Sequence, residues 1–157
     1  MLNVDDVKSI KPRLFAIVMA AMLTIGVSAN TQADVPFPGK LPVEVVSVEA
    51  ANIIHINVET WPGFRRNIRI FLPDLVLPGQ GPNPKECEAE LAHLAYEFTV
   101  NFLENAEDIR VLDMWMENSA STDAISSIYT KNGTLDNALR RERLARPSDL
   151  AQNQPWC

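Results

Sequence analysis

The clearest signal along this chain is alternation. In IIHINVET (53–60), Ile54, Ile56 and Val58 take one side of an extended backbone while His55, Asn57 and Glu59 take the other. That two-residue period is the mark of a half-buried strand. NIRIFLPD (67–74) repeats it with Ile68, Ile70 and Leu72, and Pro73, which has no N–H for a ladder, ends the run. Ahead of both, VEVVSVEA (43–50) is rich in β-branched residues, and the break from Glu49 to Asn52 suits a hairpin. Trp61-Pro62-Gly63 marks a second turn. Farther on, IRVLDMWM (109–116) and AISSIYT (124–130) predict two more strands, followed by a turn at Asn132-Gly133.

Between these groups the period changes to that of a helix. Cys87, Leu91, Leu94, Ala95, Phe98 and Phe102 recur three and four residues apart, one apolar stripe. Asn83 is the expected N-cap, Pro84 the first helical residue, and Glu86 lies three past the cap. Glu86, Glu88 and Glu90 sit where the helix dipole favours acids, and they read as a solvated helix start rather than a metal site. A short helix is expected over 134–145, ending in arginines before Pro147. The predicted fold is α+β: a five-stranded barrel of the OB type, with a long helix after strand 3 and a short one after strand 5. The helical stripe would close the open end of the barrel.

The N-terminus has a different character. MLNVDDVKSIKPR carries Lys8, Lys11 and Arg13, LFAIVMAAMLTIGV (14–27) is apolar, and SANTQADVP supplies small residues. This pattern predicts a signal peptide over residues 1–33, cut after Ala33 or after Ala29. The apolar run is shorter than the roughly 20 residues a membrane span needs. The alternative is an uncleaved anchor. Either way the folded part lies outside the cytoplasm, in the periplasm or secreted, with no membrane span once the leader is removed. Pro36, Pro38, Gly39 and Pro42 then suggest a linker over 34–42, before a domain spanning 43–157.

Charge and cysteines narrow the reading. The chain carries a net charge of −6, and the leader contributes two acids against three bases, so the remainder is more acidic still. Such a surface repels a phosphate backbone, which argues against a nucleic-acid partner. Arg65, Arg66 and Arg69 form a small basic cluster whose plain reading is a solvated strand and loop. In an oxidising compartment Cys87 and Cys157 predict one disulfide, with an intermolecular pair or a free thiol as the rival. Closing a loop of about 70 residues stabilises by about 4 kcal/mol in the chain-entropy account.

Other chemistry is sparse. His55 and His93 are the two histidines, and neither stands in a cysteine–histidine–acid pattern. Trp61, Trp115 and Trp156 are expected to pack in the core or at turns. The alternative for Trp61 is a small binding face with Phe64, beside Arg65 and Arg66. Asp74 is isolated in FLPDLVLPGQGPNPKECEAE, with no second acid until Glu86.

The order of elements, the Trp61-Pro62-Gly63 turn, Arg69 five residues before Asp74, CEAELAHLA (87–95) and NGTLDNALRRERLARP (132–147) together resemble the thermonuclease, or staphylococcal nuclease-like, family. The similarity covers residues 43–157. It implies an OB barrel that uses calcium to hydrolyse phosphodiester bonds of DNA and RNA. In that family two carboxylates hold the calcium, a glutamate orients the attacking water, and two arginines stabilise transition-state charge.

Carried over residue by residue, this machinery is incomplete. The family's Asp-Gly-Asp-Thr hairpin corresponds to Ala50-Ala51-Asn52-Ile53, so the neutral amide of Asn52 replaces a metal carboxylate. Arg69 and Asp74 are kept as remnants. The Thr-Pro-Glu that should follow is Leu75-Val76-Leu77, and shifting the register onto Pro78 puts Gly79 at the glutamate. No Tyr-Gly-Arg precedes the fifth strand: Asp123 runs straight into AISSIYT, with no arginine between Ser119 and Thr130. The expectation is a catalytically silent binding or structural module, with no cofactor, whose partner is a protein or an envelope component. The competing expectation is a weak calcium-dependent nuclease that recruits Glu49 or Asp123 as replacement ligands.

Overall fold

The computed structural model describes residues 37–81, 83–149 and 155–157. The expected signal peptide (1–33) and the first part of the expected linker (34–36) lie outside the described residues. From Phe37 onward the linker expectation is corrected. Residues 37–42 are the first half of a long strand, β1 (Phe37–Ala50), despite their prolines and glycine. Gly39 makes this workable: it takes φ +86 at an irregularity in the ladder, and its N–H donates to the Asp113 carboxylate at 2.6 Å.

Eight further strands follow: β2 (Ile53–Trp61), β3 (Phe64–Phe71), β4 (Leu75–Val76), β5 (Arg110–Met114), β6 (Asp123–Ile125), β7 (Ile128–Thr130), β8 (Gly133–Thr134) and β9 (Arg146–Pro147). The helices are α1 (Glu86–Glu104) and α2 (Leu135–Arg141). The architecture is mixed α+β. Seven strands form one sheet in the order β6-β3-β2-β1-β5-β7-β8, curled into a half-barrel, and β4 pairs with β9 separately.

β1 serves two ladders. Through Pro42 it pairs antiparallel with β5, and from Val43 it pairs antiparallel with β2. β3 continues the meander from β2, and β6 lies parallel to β3 with Arg69 opposite Asp123. Beyond β5, Trp115 exchanges backbone hydrogen bonds with Ile125 at 3.0 and 2.8 Å. That bridge joins the far side of the sheet to β6.

The alternation read from sequence selects the core face. Ile54, Ile56, Ile68 and Ile70 are fully buried, and Val58 nearly so. Burial of such a side chain is worth about 2 kcal/mol. The expected fifth strand is split, which is a second correction. β6 and β7 are separated by Ser126 and Ser127 and pair with different strands. The Ser126 hydroxyl donates to the Leu112 carbonyl at 2.9 Å and accepts from its N–H at 3.1 Å, so a side chain stands in for the ladder there.

The long helix also starts later than expected. Its N-cap is Lys85, not Asn83, and the Glu88 carboxylate accepts from the Lys85 N–H at 3.4 Å. Asn83 and Pro84 both lie ahead of the helix. Ala95 and Leu103 are buried and Phe98 and Phe102 pack against the core, whereas Leu94 is exposed. Thr99, which no apolar stripe predicts, is fully buried, and its hydroxyl donates to the Ala51 carbonyl at 3.0 Å. This bond ties α1 to the β1–β2 turn. α2 ends at Arg141, short of the expected 145, and Thr134 caps it by accepting from the Asn137 N–H at 3.4 Å.

Cys87 in the first turn of α1 is bonded to Cys157, so the pairing expected from the cysteine count is present. The guanidinium of Arg146 lies 4.0 Å from the Trp156 ring and donates to the Pro155 carbonyl at 3.2 Å. The C-terminal end is therefore held covalently and by stacking.

Two stability outcomes are expected. Thr99→Val, which keeps the shape but strands a buried carbonyl, should lower unfolding free energy by about 1–3 kcal/mol in urea titrations. Replacing both cysteines by serine should cost about 2–4 kcal/mol, and reducing agent should destabilise the native protein but not this variant.

Candidate functional site

Three neighbouring strands build one polar row on the solvent side of the sheet. Ile68 and Ile70 point into the core, so Arg69 between them points out. The registers place His55 of β2 opposite Arg69 on one side and Asp123 of β6 opposite it on the other. Glu49, near the end of β1, completes the group. Arg69 Nε and Nη2 donate to the two Asp123 oxygens at 3.0 and 2.7 Å, a bidentate pair. Its Nη1 lies 3.7 Å from Glu49 Oε2, which in turn is 2.8 Å from His55 Nε2. The guanidinium also sits 5.1 Å from the Phe71 ring centre.

The electrostatics follow from this geometry. The hydrogen bond from Arg69 is the main cause holding the Asp123 carboxyl below its usual range; partial desolvation opposes it and the Arg69 and His55 charges reinforce it. The same bond raises Arg69 above its ordinary value. The row lines a shallow hollow of about 540 Å³ with Asn67 and Thr122. Such a site offers incoming phosphate an arginine already neutralised on two sides.

The remaining predicted residues do not join it. Asp74 is exposed in a left-handed turn (φ +53), and its backbone oxygen accepts from Arg140 Nη2 at 3.1 Å and the Ser148 N–H at 3.2 Å. Asn52 lies in the β1–β2 turn, where its side-chain oxygen is buried without a partner. Among the described residues no three His, Cys, Asp or Glu side chains are grouped to hold a metal ion. The basic cluster is dispersed as well: Arg65 pairs with Glu44 at 3.5 Å, and Arg66 donates to the Ser121 carbonyl at 2.7 Å. His93 pairs with Glu97 at 3.2 Å on the solvated side of α1.

Trp61 sits at the β2–β3 turn, exposed beside Phe64 as the alternative has it, whereas Trp115 departs from the expected packing. Trp61 is 75% exposed, Phe64 61% and Trp115 44%. Trp61 and Phe64 face each other across the β2–β3 turn, where a short hairpin has no core to reach. Trp156 packs on Arg146, as described above. The Arg69–Asp123 pair had no signal in sequence, because it depends on a parallel register between strands 54 residues apart.

No helix among the described residues is long and apolar enough to cross a membrane. No protein-family model and no curated protein matches this chain.

The pair sets an acid response. The folded state keeps the Asp123 carboxyl below its ordinary 3.8, so its contribution is complete above that pH and fades as pH falls through the lowered native value. Asp123→Asn should lower the neutral-pH melting temperature by a few degrees at most, because the pair is half-exposed. The difference from the unsubstituted protein should vanish at the acid end of a pH series of urea midpoints.

Proposed function

We propose that this chain is a degenerate thermonuclease-like domain, exported from the cytoplasm, that binds a partner and does not cut nucleic acid. One observation carries the reading. The resemblance expects a second arginine just before the fifth strand, and there Asp123 instead neutralises Arg69, the one arginine retained. A phosphoryl-transfer site needs free positive charge aimed at the phosphate. Losing one such donor typically costs 10²–10³ in rate, and losing the water-orienting group about 10²–10⁴ more. The terms are not additive, yet each alone leaves little activity.

The OB-type barrel belongs to the same reading. A β1–β2–β3 meander, a parallel β3–β6 pair, the β1–β5 ladder and the Trp115–Ile125 bridge support it. Export to the periplasm or beyond draws on the leader pattern and on the disulfide, which suits an oxidising compartment. The partner is a protein or an envelope component.

The nuclease alternative keeps one supporting observation, since Glu49 and Asp123 both flank Arg69. Calcium takes six to eight oxygens, and these two carboxylates are already engaged by Arg69 and His55. A calcium-dependent cleavage assay on the purified protein, disulfide intact, decides between the readings. The expected result is no cleavage above background, with chelator and Arg69→Ala making no difference. Cleavage that requires both calcium and Arg69 would establish a rebuilt nuclease site instead.

A further inference from the structure

At the β2–β3 turn four residues in a row carry no polar side chain and all face water. They are Trp61, Pro62, Gly63 and Phe64, and Trp61 and Phe64 are the two most exposed large hydrophobic side chains among the described residues. A run of this kind is unfavourable in water unless something covers it. The hairpin also outruns its neighbours. β1 pairs with β2 only as far as Val58, and β6 pairs with β3 only from Arg69, so no ladder flanks the strand ends that meet at the turn.

The tip is built to give up its water. Trp61 and Phe64 are ladder partners across the turn, and Pro62 has no N–H to satisfy. The Gly63 N–H donates to the Glu59 carboxylate at 2.7 Å, and the Thr60 hydroxyl donates to the Phe64 carbonyl at 3.5 Å. Low-polarity surroundings therefore strand neither group. The tip offers rings rather than charge, because the arginines behind it are engaged. Arg65 pairs with Glu44 at 3.5 Å and Arg66 donates to the Ser121 carbonyl at 2.7 Å.

The course of the chain indicates what the tip meets. Antiparallel pairing puts Phe37, the first residue of β1, at the end of the sheet toward which β2 runs out to Trp61. Only residues 28–36 separate Phe37 from the apolar run 14–27, a covalent reach of at most about 30 Å. We propose that Trp61 and Phe64 insert into the interfacial layer of the lipid bilayer to which that run leads the chain. The inference rests on the export reading and gives the envelope partner a chemistry. An indole, apolar with one N–H, suits the boundary between acyl chains and water. With a net charge of −6 and no free arginine at the tip, contact needs no anionic lipid and survives salt. Two aromatic rings bind a bilayer weakly by themselves. A retained leader raises their effective concentration at the surface, and a cleaved one leaves a reversible contact.

The test uses the full chain on phosphatidylcholine vesicles, with Trp115→Phe and Trp156→Phe so that Trp61 alone reports. The expected result is blue-shifted emission, at least twofold quenching by lipid brominated in the upper acyl chain, and at least twofold protection from iodide. Phe64→Ser should halve the bromine quenching, and about 0.5 M salt should leave it unchanged. A companion chain with Trp61→Phe and Trp156→Phe keeps Trp115, itself 44% exposed, which should stay open to iodide. Circular dichroism checks the fold of each variant. A Trp61 as open to iodide on vesicles as in buffer, quenched no more than Trp115, or quenched only with anionic lipid overturns the proposal. Protection by an envelope protein extract but not by vesicles also overturns it and assigns the tip to a protein pocket. Retention in the cytoplasm of fractionated cells overturns the export reading, and calcium-dependent cleavage overturns the module reading; neither outcome depends on what Trp61 does on vesicles.

Discussion

The structure depends on β1 changing its hydrogen-bonding partner between Pro42 and Val43. One strand of 14 residues serves β5 with its first half and β2 with its second, and the sheet curls because a single chain must satisfy both ladders. The register shifts near Gly39, Val46 and Ala50 are the local cost of that curvature. Everything placed on the sheet inherits it. The core isoleucines of β2 and β3 face inward on the concave side, and α1 is fastened over the β1–β2 turn by the Thr99 hydroxyl. The same change of partner leaves Glu44–Ala50 paired on one side only among the described residues.

The Arg69 row shows how a neighbouring strand decides what an outward arginine can do. An arginine on an outward strand position is a phosphate-binding group when its neighbours are neutral or basic. With Asp123 in parallel register beside it and Glu49 beyond, it becomes the centre of an ion-pair network that links β1, β2, β3 and β6. Half-exposed as it is, this network adds little stability and chiefly sets registry. Its consequence for chemistry is larger, because the Nε–Nη2 side of the guanidinium is taken by Asp123.

Covalent restraint fixes residues 155–157, of which only Trp156 is partly buried. Cys87 binds Cys157 at the start of α1, and Lys85, the residue that caps that helix, reaches the Cys157 carbonyl at 3.4 Å. Arg146 then stacks on Trp156. The C-terminus is thus tied to the helix start and to β9, whose partner β4 follows directly from the Asp74 turn.

Local periodicity determined much of this protein by itself. Ile54, Ile56, Val58, Ile68 and Ile70 were legible as one buried face, since a strand's two-residue period is a property of the backbone and needs no partner. The helical spacing of Ala95, Phe98 and Phe102 was legible for the same reason, and the cysteine pair followed from the count. What sequence left undecided is what depends on partners distant along the chain. The prolines of residues 37–42 read as a linker because nothing local reveals that β5 will pair with them. AISSIYT read as one strand because the Ser126 hydroxyl replaces a ladder only once Leu112 lies beside it. Arg69 and Asp123 could be named separately as remnant and candidate ligand. Only the parallel register of β3 and β6, set by packing of the whole sheet, made them each other's partner.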